Sequence, residues 1–333
     1  GDDDEGEVDT NQRETRSHHN IFQRKQELSL LSERHRRKLV VSDRGTLTAL
    51  VVRIVANNGI EPTDSLETTR NNVFGDDVCL KSQFAACSKD QLIIEPFEGN
   101  TTNGVPVSGG VVDVRVDLNP TDSNKDKFLK RSNRAANEQL GTLEDQFDLV
   151  LFCIPPGTGD EWMAEANLRR WDSYYNDKWC GYVSAQMHEV GHNLGLDHSG
   201  EGPRRNDGSS DYDDKSGMMG ISYKGDDSPR MCFNVAKNYQ LGWYKRQRKR
   251  IDPTKATNRT IEDSISIRQS FIMNGIADYK VTGPTEDKLV ALRLTQRGSP
   301  KDYYVGYNRA TGINNETQED ANEVVILEKP IGG

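Results

Sequence analysis

Half of the six histidines in this 333-residue chain fall within one run, His188-Glu189-Val190-Gly191-His192-Asn193-Leu194-Gly195-Leu196-Asp197-His198. Residues four apart on a helix share a face one turn apart, so His188 and His192 are spaced to reach a single metal ion. Glu189 follows the first imidazole directly and can approach a water held by that ion. Gly195 stands three positions past His192. Glycine takes the left-handed conformation that ends helices without a steric penalty, so the chain can turn there and bring back His198 as a third ligand. Three protein ligands and an open fourth position are what a hydrolytic zinc centre requires. A helix whose surface histidines are spaced this way by accident would account for a bare His-Glu-x-x-His. It accounts poorly for five fixed positions of which three are a rare residue type.

Downstream of a loop rich in Gly, Asp and Ser comes Ser216-Gly217-Met218-Met219-Gly220. A methionine pair taken alone is core filler. Set in a glycine-bounded turn after three histidines, it reads as a methionine turn beneath the metal, with Met219 favoured over Met218. Together, the extended histidine motif and this turn resemble the metzincin zinc peptidases. Trp179-Cys180, Ser184-Ala185-Gln186-Met187, Pro229-Arg230-Met231-Cys232-Phe233-Asn234 and Gln240-Leu241-Gly242-Trp243-Tyr244 extend the likeness to the gametolysin family. These are secreted algal metallopeptidases that attack cell-wall and matrix glycoproteins. The likeness is strongest from about Trp171 to Tyr244, and Asp302 to Asn308 resembles the family's C-terminal part. It implies a Zn2+ cofactor, a protein or glycoprotein substrate and an extracellular address. On this reading His188, His192 and His198 hold zinc. Glu189 is the general base that takes a proton from the attacking water and carries it to the leaving amine. Two features depart from related patterns. No cysteine precedes Cys79 to serve as a zinc-capping switch, and Ile221 stands two residues after Met219, where some metzincins carry a tyrosine.

Several elements must position these residues. Thr46 to Ala56 is rich in β-branched residues and reads as a buried strand. Gly110 to Leu118 alternates Val and Asp as a half-exposed strand does, and Phe147 to Ile154 is a third strand, closed by Pro155-Pro156-Gly157. Asn124 to Leu140 carries helix formers with an apolar side and a stop at Gly141. Trp171 to Cys180 reads as an edge strand or a loop leading into the histidine helix, and the stretch between the first two strands as a polar, glycine-containing region. Strands alternating with helices imply an α/β architecture. The expected fold class is thus an α/β (α+β) metzincin catalytic domain with a twisted mixed sheet and an active-site helix, followed by a small all-β domain. Its domains would be a polar tail or propeptide remnant over 1–45, the catalytic domain over 46–244, a basic linker over 245–250 and the β domain over 251–333. Ser264 to Ile272, Leu289 to Leu294, Tyr303 to Tyr307 and Val324 to Leu327 supply the β-like runs of the last. The tail's cluster Arg34-His35-Arg36-Arg37-Lys38 suits either a solvated linker or a processing site. A first residue that is Gly rather than Met suggests a start inside a longer precursor, and the C-terminus reads equally as a cut.

A net charge of −9 argues against a general nucleic-acid binder. No apolar run is long enough to span a bilayer. The five cysteines, Cys79, Cys87, Cys153, Cys180 and Cys232, form no zinc-type pair; Cys79 and Cys87 could close a small loop, and Cys180 and Cys232 flank the histidine motif. Asn100, Asn258 and Asn315 each begin an Asn-x-Thr glycosylation triplet. The competing reading is a zinc-binding adhesion module that has lost turnover. Glu189 stands against it, as does the count of three ligands where a structural zinc usually has four.

Overall fold

The structure is a computed structural model that describes residues 41–159, 161–202, 209–220, 223–253, 269–283, 288–295 and 298–330. The basic cluster at 34–38, Ile221, Asn258 and most of the run from Ser264 to Ile272 lie outside these residues. Strand β1 (Gly45–Val55) organises the first sheet. It pairs in parallel with β2 (Leu92–Pro96), β3 (Val111–Arg115) and β4 (Leu149–Ile154). Beyond β4 the sheet continues through an antiparallel edge strand β5 (Ala164–Ala166) and the parallel strand β6 (Asp172–Asn176), which lies between β4 and β5. The sheet is therefore mixed. The Trp171 to Cys180 stretch supplies an inner strand rather than an edge, because the short β5 covers its outer side.

Both faces of the sheet are covered, which explains why β4 reads as a continuous apolar run and β1 as a mostly apolar one. In β1, Leu47, Ala49 and Val51 join one core while Leu50, Val52 and Ile54 join the other; Leu149, Leu151 and Cys153 of β4 alternate with Val150, Phe152 and Ile154 in the same way. Helix α1 (Leu80–Ser88) places Leu80, Phe84 and Cys87 in the first core. Helix α2 (Lys125–Leu140) covers the second with Phe128, Leu129, Ala135, Ala136 and Leu140. Its boundaries are those the sequence predicts: Asn124 caps the start by accepting from the Lys127 N–H, and Gly141 at φ 88° ends it. The polar region between β1 and β3 holds more structure than expected, namely β2, α1 and a short helix over Leu66–Arg70.

Helix α3 (Val183–Asn193) packs in the first core, and α4 (Val235–Leu241) follows the methionine pair. A second sheet comes after. Arg248 to Ile251, the end of the basic run, forms β7, which pairs in parallel with β8 (Ala291–Leu294). The antiparallel strands β9 (Lys301–Asn308) and β10 (Glu323–Pro330) complete it. One face packs on α4 through Ala291, Tyr304 and Val325 against Val235 and Ala236. Two disulfides, Cys87–Cys232 and Cys153–Cys180, fasten the first core, and Cys79 is a buried free thiol. The small Cys79–Cys87 loop is therefore not formed. Among the described residues, no helix is long and apolar enough to cross a membrane.

Candidate metal centre

Helix α3 is buried at all eleven of its positions, polar residues included. It begins at Tyr182 without a side-chain cap, and the Val183 N–H is satisfied instead by the Asp226 carbonyl at 2.9 Å. Polar side chains inside the core tie the helix down. Gln186 Nε2 donates to the Cys180 carbonyl at 2.6 Å and Asn193 Nδ2 to the Asp172 carbonyl at 3.1 Å. The Cys153–Cys180 bridge joins the end of β4 to the turn just before the helix.

At its C-terminus the predicted stop operates. Gly195 has φ 87°, and the Leu196 N–H donates to the Gly191 carbonyl at 2.9 Å. The chain turns, and His198 comes back to the helix face. The ligand atoms of His188, His192 and His198 lie within 4.8 Å of one another, a group that can hold a metal ion. The two helix histidines present the correct nitrogen for this. His188 Nδ1 is 2.8 Å from the Met218 carbonyl and His192 Nδ1 is 2.7 Å from the Leu196 carbonyl. Because a carbonyl only accepts, each Nδ1 carries the proton and donates, which leaves each Nε2 lone pair free for a cation.

Electrostatics agree with a cation site. Burial, followed by the neighbouring imidazoles, lowers the pKa of His188 to about 3, and burial lowers that of His192 to about 4. Both are thus neutral and able to ligate at ordinary pH. Burial raises Glu189 to about 8. Its Oε2 is buried without a hydrogen-bond partner, an arrangement that is costly unless a cation or a water belongs beside it. The residues fit a divalent metal with a water ligand.

The two methionines divide their roles. Met218 offers its carbonyl to His188, while Met219 puts its sulfur beneath the helix: a Cβ on Gly191 would stand 2.6 Å from Met219 Sδ. The structure thus brings together His188, His192, His198, Glu189 and Met219, all read from the sequence. It adds residues to which the sequence assigns no part in the centre. The Tyr212 ring lies 4.0 Å from that of His198 and 6.0 Å from that of His188. Tyr223 sits 6.1 Å from His188 and contacts Trp179. Asp214, Ser199 and Asn234 join the turn to the third histidine. No spacing rule links these positions to a metal, so only the fold could reveal them.

A family model described as "Gametolysin peptidase M11" matches residues 49–315. No curated protein matches the chain. A solved structure titled "Structure of a chaperone-substrate complex" aligns at 17% identity with a TM-score of 0.29, over 49% of this chain and 28% of its own. The shared geometry is too slight to bear on the fold.

Proposed function

The chain belongs to the gametolysin peptidase M11 family, and we propose that it is a zinc-dependent endopeptidase of metzincin type acting on extracellular-matrix or cell-wall glycoproteins. The observation that carries this reading is Glu189, buried beside three converging imidazoles with an unpartnered carboxylate oxygen. A structural metal site needs no such group.

His188, His192 and His198 would hold the ion. Bound there, zinc supplies Lewis acidity, making a ligated water more acidic and polarising a carbonyl. The chain's own residues do the rest. Glu189 takes a proton from the attacking water and hands it to the departing amine. The Met218 and Leu196 carbonyls hold the two helix imidazoles in the ligating tautomer. Met219 supports the helix from beneath as the methionine turn.

Two disulfides and exposed asparagines at the Asn100 and Asn315 triplets support an extracellular address. The division into a catalytic domain over 46–244 and an all-β domain over 251–333 is part of this proposal, with the end of the 245–250 linker drawn into the second sheet as β7. A second reading, an adhesion module, draws on the outer face of the second sheet, where Tyr303, Val324 and Ile326 are 41%, 59% and 66% exposed. The test is incubation of the purified protein with gelatin, with and without a chelator. Cleavage that stops on chelation and returns with zinc supports the peptidase. Stoichiometric zinc without cleavage of any unfolded protein favours adhesion.

A further inference from the structure

The third histidine is the ligand that no regular element holds: residues 196–200 belong to neither helix nor strand. Something else must fix it, and a buried polar cluster stands in the right place. Asp214 is 5% exposed, Ser199 6%, Ser216 4% and Asn234 7%. Asp214 Oδ1 accepts from the Ser216 N–H at 2.9 Å and from the Ser216 hydroxyl. Its Oδ2 accepts from Asn234 Nδ2 at 2.8 Å, and the same amide reaches Ser199 Oγ at 3.0 Å. The backbones are joined as well. The Asp214 N–H donates to the Ser199 carbonyl at 3.2 Å, and the Ser199 N–H to the Met219 carbonyl at 2.9 Å.

Ser199, the residue directly after His198, is therefore held at its N–H, its carbonyl and its hydroxyl. Two of those three contacts run to Asp214 or to an amide that Asp214 orients. Its other oxygen grips the start of the methionine turn. Gly220 closes the arrangement, since a Cβ there would stand 1.9 Å from the Asp214 carbonyl and 3.1 Å from that of Tyr212. The segment that carries Asp214 is thereby pressed onto the turn, with the Tyr212 ring against His198. Asn234 also caps α4 by accepting from the Lys237 N–H at 3.0 Å, so the amide is anchored to a helix.

We infer that Asp214 is a positioning residue of the metal centre: its carboxylate, acting through Asn234, Ser199 and Ser216, locks the loop of His198 to the turn beneath the ion. The inference rests on the metal reading above but not on peptidase activity. Partners that orient ligands affect metal affinity more than they affect the fold around them.

The test uses the full chain and measures the zinc dissociation constant by competition with a chromophoric chelator, alongside the melting temperature of the metal-free protein. Asp214→Asn sets two amide groups face to face, and Asn234→Asp sets two carboxylates face to face. Each should weaken zinc binding by about 10- to 100-fold. The double exchange puts a donor opposite an acceptor again and should recover affinity to within about threefold. Unchanged zinc affinity in both single variants would overturn the inference. So would a loss that the double exchange fails to rescue and that only follows the melting temperature. An unsubstituted protein that takes up no zinc would overturn the metal reading and this inference together. Tight zinc binding without cleavage of any protein would sink the peptidase reading alone, and the exchange result would still decide the role of Asp214.

Discussion

The metal centre is built in two halves by different means. His188, Glu189 and His192 ride on α3, where helical spacing alone sets their relation. His198 and the methionine pair lie in loops, and Tyr212 ends a single 3-10 turn (Ser209–Tyr212); here side-chain hydrogen bonds and close backbone contacts do the same work. The helix half is local in sequence and rigid in itself. The loop half assembles residues from 198 to 234 and depends on each of its ties. Chemistry should therefore be more sensitive in the first half, and construction in the second.

The largest effect expected is in the helix half. Glu189→Gln keeps the size of the side chain but removes the base, and kcat/KM of the zinc-loaded protein should fall by about 10²- to 10⁴-fold. Zinc stoichiometry should stay the same. Retained activity in that variant would dissolve the chemical distinction between the halves.

One substitution applied to both halves sharpens the contrast. In Gly220→Ala the new methyl meets backbone, the Asp214 carbonyl, which cannot step aside. We expect a loss at the upper end of overpacking costs, about 3 kcal/mol, read by denaturant unfolding. In Gly191→Ala the methyl meets Met219 Sδ, near the end of a flexible side chain, and the edge of the Phe233 ring at 3.2 Å. Gain in helix propensity offsets part of that strain, leaving about 1 kcal/mol. The reverse order would mean that the loop half is the softer one.

Acid and base should separate groups within the helix half of the metal-free protein. His188 and His192, lowered to about 3 and about 4, bind no proton in the folded chain across a window where the unfolded chain does. Stability is thus lost as pH falls from about 6.5 toward those values. Glu189 has the opposite sign. Raised from 4.5 to about 8, it holds a proton when folded that it lacks when unfolded, so stability is lost as pH rises through that range. Taken together, the three groups place the maximum near pH 6.5, at about the ordinary histidine value. Glu189→Gln should abolish the decline on the alkaline side, which melting temperatures between pH 6.5 and 8.5 would reveal. An undiminished decline would move its origin elsewhere.

The smallest effect belongs to the contact between the halves. Met219→Leu conserves volume and should cost less than about 1.5 kcal/mol while leaving zinc stoichiometry intact. Loss of metal in this variant would give the methionine sulfur a larger part than support from below.

The same division explains what could be read from the sequence. The three histidines assigned there converge, and Met219 lies against the helix at Gly191, because His-Glu-x-x-His is a statement about one helix and Gly195 marks its end. That the polar residues of this helix are buried along with the apolar ones is something only the fold shows. In contrast, Asp214, Ser199 and Tyr212 carry no pattern, and Asn234 enters only as the end of a family motif with no role attached; their relation exists only once the loop closes. Strand β4 was legible as an unbroken apolar run and β1 by its β-branched content, because both of their faces are covered. The edge strand β5 is three residues of Ala-Glu-Ala, too short and too polar to register. Pairing of Cys87 with Cys232 spans 145 residues and is set by how α1 meets the segment after the methionine turn, which no cysteine count reveals.

The central claim is that three imidazoles from the two halves converge on one ion. X-ray absorption at the zinc edge of the stoichiometrically loaded protein tests it directly. The account predicts three nitrogen ligands at about 2.0–2.1 Å with an oxygen completing the shell, and loss of one nitrogen in His198→Ala. A sulfur ligand, a fourth protein nitrogen, or a spectrum unchanged by His198→Ala would contradict it.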